Sequence, residues 1–140
     1  MKGRILAVDP GEKRIGLAVS DETATIANPL GVVLHTARDA DARAVALRAE
    51  EVQAVLIVVG QALDANGEVG PAARKAERFA EAVRAHTSLP VKLWDESGST
   101  KMAQHTRREM GVSKKKRSGH MDDLAATIIL QSYLDSNYES

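Results

Sequence analysis

The block Arg4-Ile5-Leu6-Ala7-Val8-Asp9-Pro10-Gly11, followed at once by Lys13-Arg14-Ile15-Gly16-Leu17-Ala18-Val19-Ser20-Asp21, constrains this chain more than any other stretch. An apolar run stops at one carboxylate, a Pro-Gly pair turns the chain, and a second apolar run returns. That pattern predicts a two-stranded hairpin. It presents Asp9 at a rigid strand end, with the basic pair Lys13 and Arg14 a few residues further on. A carboxylate held in this way suits a metal ion or a phosphate-bound metal. The same residue also suits the turn alone, because Asp is common in turns. On this stretch both readings stand.

The 140 residues suit a single domain spanning 1–140, long enough to bury a core without disulfide or metal staples. There is no cysteine, so thiolate metal sites and disulfides are excluded. The apolar run behind Lys2 and Arg4 is too short for a signal-peptide core, and no segment approaches the ~20 apolar residues of a membrane span. The expected location is cytoplasmic, with no membrane partner. Formal net charge is zero, which argues against a generic polyanion binder, but the charge is unevenly spread. Between Ser97 and His120 stand seven basic residues (Lys101, Arg107, Arg108, Lys114, Lys115, Lys116 and Arg117) against the single acidic Glu109. A local basic surface of this kind can steer nucleic acid even when the total cancels.

Beyond the hairpin, Pro29 to His35 predicts a third strand and Asp41 to Glu51 a helix. The uninterrupted Val55-Leu56-Ile57-Val58-Val59-Gly60 predicts a strand buried on both faces of a sheet. Pro71 suits the first turn of a helix reaching about His86, and Pro90 to Trp94 predicts a short strand ending at Asp95-Glu96. A helix from Ser99-Thr100 to Met110, a basic loop over 112–119 and a helix from Met121 to about Tyr133 complete the chain. Three strands, then alternating helices and strands, imply an α/β fold with a mixed sheet flanked by helices.

Three acidic groups fall at comparable places: Asp9 after the first strand, Glu96 after the last, and Asp122 at the start of the final helix. If they converge, two carboxylates ~5 Å apart at an effective dielectric of ~20 repel by roughly 3 kcal/mol, and a third adds more. A divalent cation removes that cost, and oxygen-only ligands point to Mg²⁺ or Mn²⁺. Two such ions can activate a water and stabilise the leaving oxygen in phosphodiester cleavage. Taken singly, each residue has a plainer role: Asp95-Glu96 as a solvated loop pair, Asp122-Asp123 as a cap serving the helix dipole.

These residues resemble the YqgF family, also called RuvX, in the RuvC-like branch of the ribonuclease H-like fold. The resemblance rests on Asp9-Pro-Gly-Glu-Lys-Arg-Ile-Gly-Leu-Ala-Val-Ser-Asp21, Val58-Val59-Gly60, Asp95-Glu96 with Thr100 and Ala103, and the run from Asp122 to Leu134. It implies a five-stranded mixed sheet of order 3-2-1-4-5 and a metal-dependent nuclease with Asp9, Glu96 and Asp122 as its acidic ligands. It also implies maturation of the 5′ end of the 16S ribosomal RNA precursor, or, in an earlier view of the family, resolution of Holliday junctions. Two departures stand out. Gln61-Ala62 follow Gly60 where the family usually has Leu-Pro, and Ser97-Gly98 replace the usual Arg and apolar residue after Glu96. The missing arginine bears on catalytic strength, not on the fold.

Lys13, Arg14 and the run Lys114-Lys115-Lys116-Arg117 are the expected phosphate-backbone contacts, although each also fits a solvated surface. His120, two residues before Asp122, fits a proton shuttle or an inert loop residue. The few aromatics, with Trp94 and Phe79 expected against the sheet, supply no base-stacking platform. Recognition of shape and backbone is therefore expected rather than reading of bases. The partners the resemblance implies are structured RNA, in a pre-ribosomal particle, or branched DNA. The chain is expected to be a monomer or a noncovalent homodimer, and a resolvase calls for the two-fold dimer. Other readings are a catalytically weak RNA-binding assembly factor and, because the Asp-x-Gly hairpin also resembles their phosphate loop, an actin- or hexokinase-type ATPase. The last needs two such domains, and this length provides one.

Overall fold

The hairpin is present, and it forms the middle of a five-stranded sheet in a computed structural model that describes residues 3–63, 66–95 and 121–138. β1 (Arg4–Pro10) runs antiparallel to β2 (Arg14–Ser20), which pairs antiparallel with β3 (Ala27–Leu34). After α1 (Arg38–Glu51), β4 (Ala54–Gln61) lies parallel to β1. After α2 (Pro71–Arg84), β5 (Val91–Asp95) lies parallel to β4. The order is β3-β2-β1-β4-β5, as the family resemblance implied. The last described helix, α3, is Met121–Tyr138. The expected helix from Ser99-Thr100 to Met110 and the basic loop over 112–119 lie outside the described residues.

Strand alternation divides the interior into two cores. Leu6 and Val8 of β1, Ile15 and Leu17 of β2, and Ile57 and Val59 of β4 face α1 and α2, which contribute Ala42, Val45, Phe79 and Val83. Ile5 and Ala7, Ala18, and Leu56 and Val58 face the opposite way, against Ala126, Leu130, Tyr133 and Leu134 of α3. Leu56, Ile57, Val58 and Val59 are each 0% exposed, which is why that run lacks a polar alternation: helices cover both of its faces.

Several boundaries differ from the sequence expectation, each for a local reason. β1 continues through Asp9, which pairs with Gly16, so the carboxylate sits within the strand rather than after it. β3 starts two residues early, at Ala27, and accommodates Pro29 because it is an edge strand. α1 starts at Arg38, not Asp41, with Ala37 as an N-cap that offers no side-chain bond. Asp41 instead reaches back from inside the helix to accept the Thr36 N–H at 3.0 Å. On the same helix Val45 is buried while Leu47 is exposed.

Candidate active site

Asp9 belongs to the face of the sheet that α3 covers, because it continues the Ile5-Ala7 alternation. Its cross-strand partner on β2 is Gly16. One step beyond the Val8–Val59 pair, Asp9 stands level with Gly60 of β4, and Gly60 pairs with Trp94 of β5. Read across four strands, one row of this face is therefore Gly16, Asp9, Gly60, Trp94. The only carboxylate in the row has a residue without a side chain on either side, and an indole closes it beyond Gly60. Steric room beside a strand carboxylate is what an ion or a phosphodiester needs to approach it. Asp9 itself is only partly exposed, and the strand ladder holds its backbone in place.

Trp94 is held from behind. Its Nε1–H donates to Ser132 Oγ of α3 at 3.3 Å, and its ring meets Tyr133 edge-on, centroids 5.2 Å apart at 88°. An edge-to-face aromatic pair of this kind adds about 0.5–1.5 kcal/mol beyond its buried area. The contact ties the end of β5 to α3. It thereby couples the strand that leads to Glu96 with the helix whose second residue is Asp122. Trp94 was expected only to pack on the sheet. Its link between two acid-bearing elements depends on a register that sequence alone does not disclose.

The expected site residues are reached unequally. Asp9 is at the C-terminal edge of β1. Arg14 lies on the same face, two residues before Gly16, and Lys13 is an exposed turn residue whose carbonyl accepts the His35 N–H at 2.9 Å. Position 122 is the second residue of α3, the helix that covers this face of the sheet through Ala126, Leu130, Tyr133 and Leu134. Glu96, the run Lys114 to Arg117 and His120 lie outside the described residues. Among the described residues no three His, Asp or Glu side chains gather into a metal-binding group.

The second half of the opening motif does structural work. Ser20 Oγ accepts the Ile5 N–H at 2.9 Å and donates to the Asp21 carbonyl at 3.0 Å. Asp21 accepts from Thr23 Oγ1 at 2.6 Å, from the Thr25 N–H at 2.8 Å and from the Ile26 N–H at 3.0 Å. The Thr23 hydroxyl first, then the two backbone donors, pull its carboxyl down to about 2. Gln131 of α3 completes this end, accepting the Ala27 N–H and donating to the Thr25 carbonyl, each at 3.0 Å.

The family model described as "RuvX: Holliday junction resolvase" matches residues 3–136. A protein of Anaeromyxobacter sp. (strain Fw109-5), named "Putative pre-16S rRNA nuclease", is 41% identical over 135 residues, 96% of this chain and 98% of that protein. One of the same name from Geobacillus kaustophilus (strain HTA426) is 44% identical over 135 residues, 95% of this chain and 98% of that protein. Among solved structures, Thermus thermophilus RuvC in complex with a Holliday junction substrate superposes with a TM-score of 0.59 at 18% identity, covering 98% of this chain and 96% of that one. That likeness establishes the ribonuclease H-like fold of the RuvC kind.

Proposed function

This chain belongs to the RuvX family and is a nuclease, and we propose that it hydrolyses phosphodiester bonds at the 5′ end of the 16S ribosomal RNA precursor with divalent cations held by Asp9, Glu96 and Asp122. The observation that carries this reading is the row Gly16-Asp9-Gly60-Trp94: a strand carboxylate with a glycine on the neighbouring strand to either side, on the sheet face covered by the helix that bears Asp122. The donors are all carboxylate oxygens in a chain without cysteine, which fits Mg²⁺ or Mn²⁺. When bound, such ions supply Lewis-acid stabilisation of charge on the phosphate oxygens and an activated water.

The rest of the chemistry falls to the chain's own side chains. The β1 ladder fixes the backbone of Asp9, which limits how far its carboxylate must move on binding. Arg14, on the same face, and Lys13 in the turn neutralise phosphates flanking the cut, with Lys114 to Arg117 extending that contact. Trp94 walls the row on its β5 side and limits how far a strand shifts past Asp9.

The names of the full-length relatives favour the ribosomal precursor as substrate. Cleavage of branched DNA is the second reading, favoured by the family's description as resolvases. One experiment compares wild type with Asp9→Asn on a labelled 16S precursor fragment and on a four-way DNA junction, with Mg²⁺, with Mn²⁺ and with chelator. Metal-dependent cutting of the RNA, abolished by the substitution, is expected. Preferential cutting of the junction moves the reading to the resolvase, and cutting that survives the substitution overturns the assignment of Asp9.

A further inference from the structure

On the far side of the sheet from Asp9, the β1–β2 turn and the starts of α1 and α2 enclose a cavity of about 310 Å³. Its floor is apolar, with Ile15 at 2% and Phe79 at 5% exposure, and its rim carries Arg38, Lys75, His35 and Asp41. A second cavity of about 430 Å³ adjoins it, sharing Pro10, Gly11 and Lys75. The second also reaches Gly60, but the first is lined by none of the residues of the Asp9 row. Ile15 belongs to the core under α1 and α2, so this cleft and the Asp9 row lie on opposite faces of the same strands.

We propose that this cleft binds a nucleotide, its phosphate held by Arg38 and Lys75 and its sugar or base resting on Ile15 and Phe79. The charge arrangement selects the anion. Arg38 and Lys75 make no ion pair among the described residues, while the one carboxylate of the rim is already committed. Asp41, only 2% exposed, accepts from His35 Nδ1, from the Thr36 N–H at 3.0 Å and from Thr36 Oγ1 at 3.4 Å. A divalent cation would meet two positive side chains and a carboxylate with little capacity left, whereas a phosphate meets two unpaired donors.

His35 adds a third donor or acceptor in a set orientation. Its backbone N–H is bonded to Lys13 O at 2.9 Å and its Nδ1 to Asp41, so Nε2 is the ring atom left to address a ligand. An apolar floor beneath a cationic rim is the composition of a small-molecule site, and the volume reaches the lower bound of such pockets, ~300 Å³. Free phosphate alone has no use for Ile15 and Phe79; a nucleotide does. The turn wall is rigid: a Cβ on Gly11 would stand 2.3 Å from Arg14 O, so the backbone there closes on itself without room for a side chain.

The phosphate can come from a free nucleotide or from one unit of an RNA strand passing over the back of the sheet. This site stands apart from the nuclease reading, and its test does not use cleavage. The full chain, labelled with nitrogen-15 and kept in chelator at low salt, is titrated with 5′-AMP, with a short oligoadenylate and with adenosine. The amides of His35, Arg38 and Lys75 are expected to shift with AMP, and adenosine to bind about ten-fold more weakly because it lacks the phosphate. Shifts with AMP identify a free nucleotide, and shifts with the oligoadenylate alone identify the strand; both support the site. Arg38→Ala/Lys75→Ala, at two exposed positions, is expected to weaken binding about ten-fold or more. Asp9→Asn is expected to bind as wild type does. If neither phosphate ligand moves these amides, or the double variant binds like wild type with its spectrum intact, the proposal is overturned.

Discussion

At the Ile5–Ser20 end of the β1–β2 hairpin, polar groups are densely paired. Ser20 closes on Ile5, Asp21 accepts three hydrogen bonds from the following turn, and Gln131 bridges to β3 from the final helix. At the Asp9–Gly16 end of the same two strands the flanking residues are glycines, and the charged groups Asp9 and Arg14 share one face. One motif thus supplies a densely hydrogen-bonded end and a glycine-flanked one. A hairpin pinned tightly at one end can fix the backbone of a carboxylate at the other while its neighbours across the sheet carry no side chain.

Four substitutions test this contrast. The largest effect is expected for Asp9→Asn, which should reduce cleavage by about 10³-fold or more if, as proposed, its carboxylate holds the activating ions. Its Tm should stay close to that of wild type, since Asn keeps the shape of the side chain and its place in the strand ladder. A steep fall in Tm would place Asp9 with the anchored end. Trp94→Ala should cost about 2–4 kcal/mol in denaturant unfolding, because it empties the space between β5 and α3. It should also lower kcat if the clamp positions the acid-bearing elements; a loss of stability with unchanged kcat would restrict Trp94 to packing.

Gln131→Ala should cost about 1 kcal/mol, the usual contribution of such hydrogen bonds, and leave kcat unchanged. Asp21→Asn should lower the Tm at neutral pH and leave cleavage per folded molecule untouched. The sign with pH follows from the carboxyl being held at about 2 against an ordinary 3.8. Its stabilisation is complete above about pH 4 and is lost as pH falls toward 2, because the unfolded chain takes up the proton first. The Tm gap between wild type and Asp21→Asn should therefore close over that window. A gap that persists at low pH would show that the turn does not depend on the charge. Asp41 behaves in the same direction at the start of α1: burial pushes its carboxyl up, but the hydrogen bonds from His35 and Thr36 and the His35 charge hold it below 3.8.

Much of this architecture is legible in the residues themselves. The Pro10-Gly11 turn between apolar runs announces a hairpin, and the unbroken run from Val55 to Gly60 announces a strand covered on both faces. Asp41 was less legible. Read as the first residue of the helix, it lies inside α1 and bonds backward to Thr36 and His35, a path set by how the β3–α1 connection packs. Asp21 likewise carries no chemical label in the motif; its role emerges only when Thr25 and Ile26 fold back onto it.

Local sequence determined which segments become strands and helices and that Asp9 stands at a strand end, because alternation, turn residues and chain direction are properties of neighbours along the backbone. The tertiary structure alone decided that Gly16, Gly60 and Trp94 line up with Asp9, and that Arg38 and Lys75 meet across a cavity behind it. Such meetings depend on the lateral register of strands and on the seating of helices. Hydrogen bonds and core packing between residues far apart in the chain set both, and no local pattern records them.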